Sequence, residues 1–192
     1  MDLDAFRVHF HSLSNGLELT NGHKSKVNQH KIVLQIFHSL KGSIVGLVPD
    51  GAWLASASYD ASIRIWSLER LASPPSATQI SASSASIAEI PAAHAKSINS
   101  LSWCPWQPRL LLSASSDMTA SLWSLTQPAE PIKLCTITLN SEILTAAWHP
   151  RKSFLFFGTK SDEIFIYRFD ATSSQCTAVQ ALQFRYAVNE VA

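Results

Sequence analysis

The chain has 192 residues, 46% of them apolar and 15% charged, with six Trp and nine Phe. That suffices for one sizeable core and excludes a chain disordered by composition. A formal net charge of +1 excludes any global electrostatic drive toward nucleic acid or an anionic membrane. Cys104, Cys135 and Cys176 are the three cysteines, at no CxxC or other ligand spacing. An odd, sparse set reads as reduced thiols in a reducing compartment, not a disulfide framework. The start, MDLDAFRVHF, shows no basic leader followed by an apolar core. No run of ~18 apolar residues occurs, so membrane insertion is not expected. The expected location is cytoplasmic or nuclear.

In chain order, residues 5–10 (AFRVHF) alternate apolar and polar and read as a strand. A polar stretch follows with two Asn-Gly turn candidates, Asn15-Gly16 and Asn21-Gly22. Residues 31–37 (KIVLQIF) read as the next strand. From residue 38 strands are expected near 43–48, 52–57, 62–67 and 84–90. A tight turn, Pro49 to Gly51, separates the first two. A Ser/Ala/Pro-rich insert at 71–86 reads as a flexible, solvated loop. The next strands fall near 98–103, 109–114, 119–124 and 131–137. A last set lies near 142–148, 153–158, 163–168 and 177–184. Helical periodicity is scarce throughout.

These sets are copies of one unit. SASYDASIRIW (Ser56 to Trp66) returns as SASSDMTASLW (Ser113 to Trp123) and, worn, as FGTKSDEIFIY (Phe157 to Tyr167). Ser56, Asp60 and Trp66 fall in register with Ser113, Asp117 and Trp123. His38 and His94 stand at the same distance before Pro49 and Pro105. Internal periodicity of this kind decides the fold before any local reading does.

On these markers, His38, Ser56, Asp60, Trp66 and His94, Ser113, Asp117, Trp123, the sequence resembles the WD-repeat family of β-propellers over roughly residues 38 to 170. The resemblance implies an all-β, propeller-type fold with about three and a half four-stranded antiparallel blades, an incomplete propeller. Residues 1–37 would be the outer half of a blade, 38–92 blade A with the insert, 93–138 blade B, and 139–192 a degenerate blade C plus tail. Closed propellers usually need ~4–8 blades. The favoured expectation is therefore that the chain is part of a longer propeller. Completion by a partner and pairing of two copies are the other two explanations.

In the family the four marker residues form a structural tetrad, and their chemistry agrees. Trp only donates, Ser accepts and donates onward, neutral His does both, and Asp accepts. In the third copy Ser161 and Tyr167 stand where Asp and Trp are expected, Asp162 comes one place late, and the histidine is missing. Its polar network should be incomplete and that blade less rigid.

The same residue names also permit a Ser-His-Asp hydrolase. The serine would lie inside a strand with its hydroxyl occupied by Trp, and no GxSxG elbow is present. Structure is strongly favoured over catalysis. His9, His11, His23 and His30 lack the ligand set and second shell of a metal site, so no metal is expected. No GxxxxGK[ST] or GxGxxG is present, and no cofactor is expected.

The candidate partner-binding residues are Tyr59, Ser116 and Lys160, which precede the tetrad Asp or its substitute, with Lys41, Lys96, Asn99 and Trp106 on neighbouring loops and turns. The resemblance implies that the turn before the Asp faces a rim where protein or peptide partners dock. The expected function is a non-catalytic WD-repeat scaffold for protein–protein interactions within a multiprotein complex. The alternative is a subunit of an RNA-processing or chromatin complex that touches nucleic acid through the basic segment 23–41, with Lys24, Lys26, Lys31 and Lys41. A hydrolase is the least favoured reading.

Overall fold

A computed structural model describes residues 44–47, 52–57, 59–67, 69–70, 86–107, 109–127 and 130–183. Among them lie twelve strands in three four-stranded antiparallel sheets. The first sheet holds β1 (Ile44–Leu47), β2 (Trp53–Ala57), β3 (Ile63–Ser67) and β4 (Ser86–Ile90). The second holds β5 (Ile98–Trp103), β6 (Leu110–Ser115), β7 (Thr119–Ser124) and β8 (Ile132–Thr138). The third holds β9 (Ile143–Trp148), β10 (Phe154–Thr159), β11 (Glu163–Asp170) and β12 (Gln175–Gln183). In every sheet the strands pair in chain order, each with the next. In the second and third sheets short polar connections favour this pairing of neighbours.

The first strands of successive sheets are neighbours: β5 packs against both β1 and β9. The sheets therefore fan out from an inner seam like propeller blades, the all-β architecture the repeats imply. Apolar side chains fill the two spaces between sheets. Ala55, Ala57, Ile63 and Ile65 of the first sheet meet Ile98, Leu101, Trp103, Leu111 and Trp123 of the second. On its other face, Leu110, Leu112, Ala120 and Leu122 meet Ile143, Ala146, Trp148, Leu155 and Phe157 of the third. The middle sheet has a core on each side, so all six residues of β6 are buried. In β10 only alternate residues are buried, Leu155, Phe157 and Thr159. Its other face, with Phe154 and Phe156, is half-exposed.

The turn between the second and third strands has one form in all three sheets. Ala61, Met118 and Asp162 occupy the same place in it and share a left-handed backbone, with φ of 63°, 69° and 57°. Ala and Met are strained there, whereas Asp tolerates it through local hydrogen bonding. This accounts for the displaced acid of the third copy: Asp162 fills the strained position one residue beyond the tetrad place.

The inner seam between second and third sheets is stitched by polar groups. Ser100 Oγ donates to Ala146 O at 3.2 Å and accepts from Ala146 N at 3.1 Å. Asn99 Nδ2 donates to Ile143 O at 2.8 Å, and Trp148 Nε1 donates to Ser102 O at 3.2 Å. Such bonds satisfy groups that burial between blades would otherwise orphan.

Candidate functional site

Four side chains of the second sheet form a continuous chain of hydrogen bonds. Trp123 Nε1 donates to Ser113 Oγ at 2.9 Å, and Ser113 Oγ lies 2.8 Å from His94 Nε2. His94 Nδ1 lies 3.2 Å from Asp117 Oδ2. Thr119 Oγ1, whose own proton goes to Asp117, lies 2.9 Å from Nδ1; this places the histidine proton on Nδ1 and leaves Nε2 to accept from Ser113 Oγ, which also lies 3.3 Å from Ser121 O. The order is then Trp, Ser, His, Asp. The loop before β5, the middle of β6, the β6–β7 turn and β7 are thereby fastened together.

Thr119 belongs to the same network. Its hydroxyl donates to Asp117 Oδ1 at 2.6 Å and lies 2.9 Å from His94 Nδ1. The Ala95 and Thr119 amides donate to the two carboxylate oxygens at 2.8 and 2.9 Å. Burial raises the affinity of Asp117 for a proton, but the bonds from Thr119 and Ala95 and the nearby His94 outweigh it and hold the pKa below the ordinary carboxylate value. Burial also pushes His94 below its usual value, against the pull of Asp117, so the ring favours the neutral form.

The first sheet repeats part of this arrangement. Trp66 Nε1 donates to Ser56 Oγ at 2.9 Å, and both residues are buried. Asp60 Oδ1 accepts from the Ser62 amide at 2.9 Å and the Ser62 hydroxyl at 2.7 Å. These bonds hold the Asp60 carboxyl below its usual pKa. His38, the fourth member expected there, lies outside the described residues, as do Lys41, the basic segment 23–41, His9, His11, His23 and His30, the outer half-blade at 1–37 and nearly all of the 71–86 insert.

The third sheet has no such chain. Phe157 holds the serine place and is fully buried. It packs edge-on against Tyr167, the residue at the tryptophan place, with ring centroids 5.8 Å apart at 79°. The turn is closed locally instead: Ser161 donates to Glu163 Oε2 at 2.8 Å, and Thr159 Oγ1 donates to Glu163 O at 3.2 Å.

Ser113, His94 and Asp117 stand at triad-like distances, yet they cannot act as one. Ser113 is 0% exposed and its oxygen already accepts from the Trp123 indole. A nucleophile needs access for substrate and an adjacent oxyanion hole. Among the described residues no group of three or more His, Cys, Asp or Glu converges as a metal site.

The partner-binding candidates divide in two. Tyr59, Ser116 and Lys160 lie in the equivalent turns of the three sheets. The loops that enter the blades share their edge: Ser116 N donates to Ser97 O, and Lys160 N to Glu142 O. On this rim Tyr59 is 74% exposed. Lys96 is exposed, and Lys160 is exposed beside Glu142, with Nζ 3.4 Å from Oε1. Ser116 and Asn99 face inward: Asn99 Nδ2 donates to Ser116 Oγ at 2.8 Å and to Ile143 O. Trp106 is in the β5–β6 turn, at the opposite edge. Its Nε1 donates to His149 O at 3.2 Å, and its ring stands edge-on to Trp148.

Sequence reasoning missed Thr119, Ser62 and Ser100. The first two carried a signal, a hydroxyl two places after each repeat aspartate. Ser100 carried none, because its partner strand is set by packing between sheets.

Comparison with known proteins follows the same lines. The family model for the WD domain, G-beta repeat, matches residues 17–67 and 85–124. The chain is 31% identical over 83 residues to a WD repeat-containing protein WDS homolog of Arabidopsis thaliana, covering 43% of this chain and 13% of that protein. It is 36% identical over 78 residues to the COMPASS component SWD1 of Saccharomyces cerevisiae, covering 41% of this chain and 18% of that one. The crystal structure of the Cps50 (Swd1) β-propeller domain of Myceliophteria thermophila superposes with a TM-score of 0.57 at 22% identity, over 73% of this chain and 38% of that one. The chain thus spans under a fifth of the length of these two relatives, and the structural likeness speaks for the fold.

Proposed function

The chain carries WD repeats of the β-propeller family, and from that premise we propose that it is a non-catalytic scaffold that binds protein or peptide partners as part of a multiprotein complex. The observation that carries this reading is the contrast at one rim. Every Ser, His and Asp of the described network is consumed within the blades, while Tyr59 stands in a turn pinned by the Asp60–Ser62 bonds with most of its ring in water. A large aromatic held on a rigid turn binds with little entropic loss. Lys96 and Lys160 flank the equivalent turns and favour an acidic stretch in the partner. WD-repeat relatives include a component of COMPASS, which supports a role as a complex subunit. No described helix is long and apolar enough to cross a membrane; we place the protein in the nucleus or cytoplasm.

The test is affinity capture with the full chain, followed by the same capture with Tyr59→Ala and with Lys96→Glu/Lys160→Glu. Loss of one set of partners with unchanged thermal stability supports the reading. Identical capture by all rim variants contradicts it.

A further inference from the structure

Cys135 and Cys176 are 41 residues apart in sequence, yet their Sγ atoms lie 2.9 Å apart. One is on β8 and the other on β12, the outermost strands of the second and third sheets. Both residues are half-buried, so the pair sits at an accessible margin between two blades. The third cysteine, Cys104, is fully buried. All three are free thiols in this structure, and neither the tetrads nor the rim uses this pair.

We propose that Cys135 and Cys176 form a reversible oxidation site, in which a low-molecular-weight disulfide converts the two thiols into a covalent bridge between adjacent blades. A metal is the poorer occupant. Tetrahedral zinc would hold two thiolate sulfurs about 3.8 Å apart, and no third ligand converges among the described residues. Two thiols already in contact need only lose their hydrogens and shorten the gap.

The exchange balances as two successive displacements. A Cys135 thiolate attacks one sulfur of the small disulfide, whose S–S bond breaks and releases a thiolate that takes up the proton Cys135 lost. Cys176 then loses its proton and attacks the Cys135 sulfur of the mixed disulfide, expelling the second small thiol. Two protein thiols are oxidised and one small disulfide is reduced to two thiols. We take Cys135 to attack first: its contact with Cys176 holds the Cys135 thiol below its usual pKa and pushes Cys176 up.

The bridge would complete the joint between these sheets. Their inner seam is already tied through Asn99, Ser100 and Trp148, and at their outer margin β8 touches β12. Isolated disulfides of this kind in a reducing compartment are usually transient and redox-sensing.

The experiment incubates the folded full chain with oxidised glutathione, then alkylates remaining thiols in denaturant, and reads intact mass and peptide map. The expected product has lost ~2 Da, keeps one alkylatable thiol and yields a Cys135–Cys176 cross-linked peptide, all reversed by a dithiol reductant. Cys104→Ser should leave the reaction intact, and Cys176→Ser should accumulate glutathione on Cys135. Stable glutathione on both residues without a cross-link would overturn the proposal. So would two thiols that stay free while circular dichroism shows the fold intact.

Discussion

The second and third sheets have the same strands in the same order, yet they are held by different means. The second is buried on both faces and carries the chain from Trp123 to Asp117. The third is covered on one face, and at the matching positions an aromatic pair, Phe157 and Tyr167, replaces the polar bond. The difference teaches that the repeat specifies a contact between the second and third strands of a blade, not one chemistry for it. Polar bonding there fixes a geometry, because hydrogen bonds are directional. Aromatic packing there contributes area and tolerates small shifts.

The sharpest way to break that comparison is to exchange the chemistries. Phe157→Ser should cost roughly 3–5 kcal/mol, because a fully buried ring is lost and the hydroxyl gains no indole partner. Urea denaturation reads this as a lowered midpoint; a loss under ~1 kcal/mol would mean the third sheet could have used the polar form. Ser113→Ala should cost about 3 kcal/mol, since Trp123 Nε1 and His94 Nε2 both lose a buried partner. Tyr167→Phe should cost under ~1 kcal/mol, as the ring contact survives.

Acid should separate the two sheets next. His94 is held below its unfolded value of 6.5, so between the two values the unfolded chain binds more protons and stability rises with pH. The contribution is complete above pH 6.5 and is lost as pH falls toward the folded value. Asp117 adds a second loss as pH falls below 3.8. Hydrogen exchange should therefore show the β5–β8 amides losing protection between pH 7.5 and 5.5 more than those of β9–β12. Equal losses would contradict a neutral, buried His94. The smallest effect is in the turns. Ala61→Gly and Met118→Gly should each stabilise by about 0.5–1 kcal/mol by relieving a left-handed backbone. Asp162→Gly should gain nothing, because Asp already tolerates that conformation.

Much of this was legible before any coordinates. The sequence reads strands near 109–114 and 119–124, where the structure pairs LLLSAS with TASLWS. His94, Ser113, Asp117 and Trp123 were named as a set from the resemblance, and they meet within 2.8–3.2 Å. Other features depend on how blades stack, which no local pattern encodes. The approach of Cys135 to Cys176 spans two sheets, as does the capture of the Asn99 amide by Ile143 O. Asp162 was seen as a displaced acid, but its reason, a left-handed turn position, needed the backbone angle.

The central claim is that buried indole–serine bonds clamp the blades and take those serines out of chemistry. Indole N–H exchange followed by NMR tests it most directly. The account predicts that the Trp66 and Trp123 Nε1 protons exchange as slowly as the amides of β2 and β6, and that Ser113→Ala frees the Trp123 proton alone. Both indole protons exchanging at the rate of a free indole in solvent would contradict it.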